Sequence, residues 1–266
     1  MPVTIATWNI NSVRLRQNLV RHFIEGWQPD VVCLQEIKCQ NNQFPARAFR
    51  RLGYRHQAVH GQKGYHGVAI LSRLPLQSVR SHDFCAMGDC RHLEVEFAAG
   101  GRFIRLHNLY VPAGGDEPDP AINPKFEHKL RFVSEMEALG AVHSGMPSLL
   151  VGDLNIAPLA SDVWSHRQLL NVVSHTPVET EGLTRVFDRG GWRDLVRDRI
   201  PADRKVFTWW SYRARDWAAS DRGRRLDHVW AAPDLADRLI AVEVVRQARG
   251  WERPSDHVPV VATLDL

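Results

Sequence analysis

Seven short apolar runs, spread along the whole chain, constrain the fold most: "VTIATWNI", "VVCLQEI", "GVAILS", "RFIRLHNLYV", "SLLVGDLNI", "LDHVWAA" and "VPVVATL". Each has strand length and either alternates or stays apolar throughout, as half-buried and fully buried strands do. Helical patterns lie between some of them. "SVRLRQNLVRHFIEGW" sets Leu15, Leu19, Phe23 and Trp27 four apart, with Gly26 near the expected end. "KFEHKLRFVSEMEALGAVHSG" sets Phe126, Leu130, Val133, Met136 and Leu139 on one face. Polar, turn-rich breaks fall at "PAGGDEPDPAINP" and around "SYRARDWAASDRG". Because strands recur from one end to the other without an internal repeat or long linker, the 266 residues are expected to form one α/β domain.

Composition narrows the setting. Hydrophobic residues at 44% and charged residues at 24% suit a globular chain, and no run reaches the roughly 20 apolar residues of a membrane span. The start, "MPVTIATWNI", lacks a basic segment followed by an apolar run, so no signal peptide is expected. Cys33, Cys39, Cys85 and Cys90 form no CxxC pair and are sparse for a disulfide scaffold, which predicts a reducing, cytoplasmic setting. The net charge of +4 allows a polyanionic partner without requiring one.

Charge distribution says more. Arg204, Lys205, Arg213, Arg215, Arg222, Arg224 and Arg225 interleave with Trp209, Trp210, Tyr212 and Trp217. Such a mixture can hold phosphates while its aromatics stack or wedge against bases. It can equally be a solvated loop paired to Asp203, Asp216 and Asp221.

The strand ends carry more oxygen than turns require. Alternation puts Ile5, Thr7, Asn9 and Asn11 on one face, and Leu149, Val151, Asp153 and Asn155 on another. Glu36 follows Val32 and Leu34 on a face that should be apolar, with Lys38 as a possible partner. Gly152 lets the backbone bend or approach a neighbour closely. Asx turns explain any one of these sites; four strand ends each offering Asn, Asp, Glu or His fit a hard divalent cation better. In "SDHVPV", Asp256 and His257 are neighbours on an extended strand and point to opposite faces, so Asp256 is badly placed to orient His257. Asp227, an acid inside a strand-like run, is the better partner for the second ring nitrogen, unless it pairs with Arg225 two residues back. Asp256 is then free for a metal.

The segments "WNINSVRLR", "LQEIK", "GVAILS", "NLYVP", "GDLNIAP", "FTWW", "RLDH" and "SDHVPV" occur in an order that resembles the exonuclease III type of apurinic/apyrimidinic endonuclease, within the endonuclease/exonuclease/phosphatase superfamily. The resemblance runs from about Thr7 to Val260. It implies a four-layered α/β sandwich with two packed mixed β-sheets, helices outside and the site at one edge. It implies hydrolysis of duplex DNA 5′ to abasic sites, with 3′→5′ exonuclease and 3′-end cleaning, by a monomer using Mg²⁺ or Mn²⁺. Glu36 would ligate the metal with Asn9 and Asp256 near it, and Asp153, Asn155 and His257 would form any second site. Asp153 would orient or deprotonate water, Asn155 and Tyr110 would contact the phosphate, and His257, held by Asp227, would polarise it. Asn11, Arg91, Trp209, Arg213, Trp217, Arg222, Arg224 and Leu226 form the expected DNA-contacting set, with Trp217 either a wedge or an anchor for its loop.

Two positions depart from the pattern: Ala113 stands where an amide usually follows "YVP", and Arg224 stands where a Trp or Leu pocket wall is usual. The segment containing His166 and His175 could bias the balance of activities by crowding the strand. Alternatives are a mainly exonucleolytic or 3′-phosphatase enzyme, the same chemistry on RNA, a sugar phosphate or a lipid head group, and a DNA-binding relative without catalysis.

Overall fold

The computed structural model describes residues 1–140 and 145–266. Residues 141–144, within the second helical pattern, lie outside them. Two six-stranded mixed sheets form the centre. The first runs, in spatial order, Leu239–Val244, Val260–Asp265, Pro2–Asn9, Val31–Gln35, Val68–Ser72 and His56–His60. The second runs Leu76–His82, His92–Ala99, Arg102–Tyr110, Ser148–Asp153, Asp227–Ala231 and Arg193–Asp194. Each contains one parallel pair, Pro2–Asn9 with Val31–Gln35 and Arg102–Tyr110 with Ser148–Asp153. All seven predicted strands are present; strands such as Leu76–His82, with mostly exposed side chains, had no apolar signal to betray them.

Three apolar layers hold four structural layers together. Ile5, Val31, Cys33 and Ile70 of the first sheet meet Val95, Leu106, Val151 and Val229 of the second in the central core. The outer face of the first sheet buries Trp8, Val32 and Leu71 under helices Gln17–Trp27 and Ala46–Arg51. The outer face of the second buries Leu109, Leu150 and Trp230 under helices Pro124–Met136 and Pro177–Gly190. Burying each such side chain is worth roughly 1.5–3 kcal/mol. The four-layered α/β sandwich is therefore the fold.

Both predicted helices form, with altered faces. The first begins at Gln17, leaves Leu15 exposed outside it, and buries Val20, Phe23 and Ile24. Gln28 ends it in a left-handed conformation (φ 47°), not Gly26. The second buries Lys129 and Phe132 where the pattern offered Leu130, because a buried carboxylate waits opposite the lysine.

Two features fix the sheets beneath one edge of the sandwich. Gln35 donates across the core to Asn108 Oδ1 (2.7 Å), and Asn108 donates back to the Leu34 and Ala69 carbonyls. Gly152 (φ 140°) lies so close to the neighbouring strand that a Cβ would sit 2.0 Å from the Leu109 carbonyl oxygen. Its close approach is thus to backbone, and it sets the strand leading to Asp153. All four cysteines are free and buried. Among the described residues no helix is long and apolar enough to cross a membrane.

Candidate active site

The site collects where the parallel strands end and their antiparallel neighbours begin. Tyr110, Asp153 and Asp227 stand side by side across three adjacent strands of the second sheet. Asn9 closes its strand in the first sheet, and Glu36 follows the adjacent strand in a left-handed turn (φ 49°). His257 bridges to Trp209 just before the final strand. Ser255 Oγ donates to the Asn9 carbonyl (2.7 Å), and Trp8 Nε1 donates to the His257 carbonyl (3.0 Å), so the last loop is locked onto the first strand.

Asn9 joins the sheets chemically. Its Nδ2 donates to Glu36 Oε1 (2.9 Å) and Asp153 Oδ2 (2.8 Å), while its Oδ1 accepts from the Asn11 amide (3.1 Å). Tyr110 also donates to Glu36 Oε1 (2.9 Å), and Lys38 Nζ sits 2.7 Å from Glu36 Oε2. Asn11 accepts from Lys38 (2.6 Å) and donates to Asp256 Oδ1 (3.1 Å), whose other oxygen accepts from Trp209 Nε1 (3.0 Å). Asn155, with φ 53°, donates its amide to Asp153 Oδ1 (2.9 Å) and its Nδ2 to Asp153 Oδ2 (3.2 Å).

The partner of His257 is resolved. Its Nδ1 lies 2.8 Å from Asp227 Oδ2, and its Nε2 faces Asp153 at 3.6 Å. Arg225, the competing partner for Asp227, instead bridges Asp162 and Asp194 at 2.6–3.0 Å.

The electrostatics follow from this enclosure. Burial raises Asp153, and Asp227 and Glu36 add to that against the pull of His257, bringing its carboxyl to about 7. Burial alone would lower His257, but the carboxylates of Asp227 and Asp153 push it up to about 10. It is an imidazolium at neutral pH. Burial, with Glu36 and Asp153 close by, pushes the Tyr110 phenol well above its usual value, so it remains a hydroxyl donor. Burial raises Asp256, yet His257 and the donors Trp209 and Asn11 outweigh it and hold the group below the usual carboxylate range.

These residues fit a cation. Four carboxylates (Glu36, Asp153, Asp227 and Asp256) face one ammonium and one imidazolium, and Asp227 Oδ1 is buried without a hydrogen-bond partner. Asp153, Asp227 and His257 bring ligand atoms within 4.8 Å of one another. Within that trio only His257 Nδ1 and Asp227 are hydrogen-bonded, with Asp153 3.6 Å from Nε2, while Glu36 and Asp256 present carboxylates, hard oxygen donors, to the cavity beside it. Asn9 ties Glu36 to Asp153 through its Nδ2 and accepts the Asn11 amide on its Oδ1.

A cavity of about 540 Å³ opens over the site and is lined by Glu36, Tyr110, Asn155, Asp256 and His257. Trp209, Arg213, Arg222, Arg224 and Leu226 of the expected DNA set line it too, and Ala113 presents no amide to it. No carboxylate pairs with Arg213, Arg215 or Arg222 among the described residues, which argues against a loop neutralised by its own acids. Three members of the set do not line it: Asn11, which bonds to Lys38 and Asp256, Arg91 and Trp217. Arg91 is buried, paired with Asp89 (2.7 Å) and packed on the Tyr110 ring at 4.9 Å, so it supports Tyr110 instead of facing a strand. Trp217, half-buried, packs on Trp210 with Arg246 and Arg249 over its ring, which ties its loop down.

His166 and His175 bond to each other (2.8 Å), and the segment between them sends Val172 and Val173 into the cavity wall. Lys129 and Glu179, a buried pair behind Asn155, carried no signal in the sequence beyond a lysine on an apolar stripe.

Residues 6–257 match the endonuclease/exonuclease/phosphatase family. Exodeoxyribonuclease III of Haemophilus influenzae is 32% identical over 96% of this chain and 97% of its own. An AP endonuclease structure from Archaeoglobus fulgidus superposes with a TM-score of 0.91 at 30% identity, covering 99% of this chain and all (100%) of that one. A Neisseria 3′ phosphatase bound to a product DNA hairpin gives 0.89 at 30% identity, covering 99% of this chain and 100% of its own. The chain belongs to the endonuclease/exonuclease/phosphatase family and, within it, to the exonuclease III type of apurinic/apyrimidinic endonuclease.

Proposed function

We propose that this chain, as one catalytic domain acting as a monomer, hydrolyses duplex DNA 5′ to abasic sites and trims 3′ ends, with Mg²⁺ or Mn²⁺. The observation that carries this reading is the convergence of Glu36, Tyr110, Asn155, Asp256 and His257 on one arginine-walled cavity, with Asp153 buried directly behind them and bonded to Asn9 and Asn155. Asp153, brought near 7 by burial, is basic enough to take the proton of an attacking water at neutral pH. Asn9 and Asn155 hold its Oδ2 in place. His257, fixed as an imidazolium by Asp227, would donate from Nε2 to a nonbridging phosphate oxygen, where negative charge grows during attack. Tyr110, kept protonated, can donate to the phosphate in the same way. Glu36, with Asp256, would hold the ion, which when bound neutralises charge on the phosphate and the departing oxygen. The arginines of the wall suit a polyanionic strand better than a lipid head group.

A 5′-labelled duplex carrying one stable abasic-site analogue, incubated in Mg²⁺ with an EDTA control, tests the proposal. One EDTA-sensitive cut immediately 5′ to the lesion supports the endonuclease. A ladder shortening from the 3′ end without that cut assigns the same chemistry to end trimming. Absence of both products would refute the nuclease reading.

A further inference from the structure

Arg224 occupies the pocket wall as a fixed cation. Its Nη1 donates to the Val173 carbonyl (2.9 Å) and to Ser174 Oγ (2.7 Å), and its guanidinium lies over the Trp209 ring at 5.2 Å. Its support is rigid in turn. Ser174, at φ 87°, donates its amide to both oxygens of buried Glu179 (2.9 Å each), and Glu179 is paired with buried Lys129. The Nε of Arg224 is buried without a hydrogen-bond partner, and no carboxylate forms an ion pair with this guanidinium among the described residues. Arg222, stacked on Trp164 at 4.7 Å, adds a second cation to the same cavity.

A half-buried guanidinium that lines the cavity without a paired carboxylate is stabilised by an anion there, and a guanidinium recognises phosphate better than a point charge does. At the scissile phosphorus, a diester continues into the next deoxyribose, and an abasic deoxyribose is neutral. A terminal phosphomonoester has no such continuation and carries a further charged oxygen there. We propose that Arg224 is a specificity-determining residue that biases this enzyme toward 3′-terminal phosphomonoesters on DNA over abasic sites. This rests on the nuclease reading above and names the substrate class of that site. In the step, water oxygen bonds to phosphorus and gives its proton to Asp153. The P–O3′ bond breaks with its electron pair going to O3′, which takes up a proton, leaving orthophosphate and a 3′-hydroxyl.

The test compares kcat/KM for a 3′-phosphate at a one-nucleotide gap with that for a stable abasic analogue, both in Mg²⁺. Wild type, Arg224→Leu and Arg224→Lys are measured, with thermal unfolding as a check. The ratio of phosphate removal to abasic incision should fall at least about tenfold in Arg224→Leu and recover in part in Arg224→Lys, which keeps the charge but not the fork. Should Arg224→Leu fail to fold, Arg224→Gln, which keeps a donor for Ser174, reads the same ratio. An unchanged ratio, or an equal fall in both activities, overturns the assignment while leaving the nuclease reading standing. A wild type that acts on neither substrate overturns both.

Discussion

Replacing Lys129 by methionine would test how the catalytic edge is supported from behind. The ammonium is fully buried, lies 2.5 Å from equally buried Glu179, and donates to the carbonyls of Asn155 (2.8 Å) and Ala113 (3.3 Å). Burial pulls its pKa down while Glu179 opposes that pull. Methionine refills most of the stem but strands the Glu179 carboxylate. Breaking a buried pair from one side costs about 3–5 kcal/mol. Glu179 still accepts from the Ser174 and Thr176 amides and the Thr176 hydroxyl, which favours the lower end, about 3 kcal/mol. Urea unfolding at pH 7 should show this as a lower midpoint at unchanged slope. Lys129→Met combined with Glu179→Gln removes both charges, so its cost should fall short of the sum of the single costs by about 1–3 kcal/mol. Turnover should drop as well, because the Asn155 carbonyl loses its donor. A loss below about 1 kcal/mol, or a double variant equal to the sum, would refute the reasoning.

Asp153→Asn keeps the shape of the site and removes the proton acceptor, so kcat should fall about a hundredfold or more with duplex affinity in a gel shift nearly intact. Near-normal turnover would remove Asp153 from that role. Glu36→Gln should raise the Mg²⁺ concentration for half-maximal activity by about tenfold or more, the effect reached even by outer-shell partners; a metal titration that overlays wild type contradicts this. His107 is held down to about 3 by burial, below the 6.5 of a free imidazole. The unfolded chain therefore takes up the proton first as pH falls, so the stability present above 6.5 is lost progressively toward 3. Between pH 6.5 and 5 this one group should cost about 2 kcal/mol, read as a lower urea midpoint, and His107→Gln should flatten the profile. A wild-type midpoint independent of pH over that range would show that His107 is not buried neutral.

The strand ends were legible because a polar residue on an apolar face breaks a period of two. Asn9, Glu36, Asp153 and Asn155 announced themselves in that way, and all belong to one hydrogen-bonded cluster. The separation of Asp256 from His257 was equally local, and Asp227 does hold the ring. Helix faces were read less well. Lys129 sits on an apolar stripe, and nothing near it in sequence tells that Glu179, on another helix, will meet it. Arg91 and Trp217 belong to the expected DNA-contacting set, but their packing, one behind Tyr110 and the other on Trp210, lies between segments distant in sequence or folded back on themselves and had no local signal.

By itself the sequence determined which residues could do chemistry and which way neighbours point along a strand, since both follow from covalent geometry and local alternation. Only the tertiary structure decided the partners. Asn9 reaches Asp153 across 144 residues, and Asn11 reaches Asp256 across 245. Arg225 is drawn away from Asp227 by two other carboxylates, and Arg224 becomes a fixed wall because Ser174 is pinned beside it. A local pattern reports the two faces of a strand but not which strand or helix will lie against them, and that choice sets every distance on which this site depends.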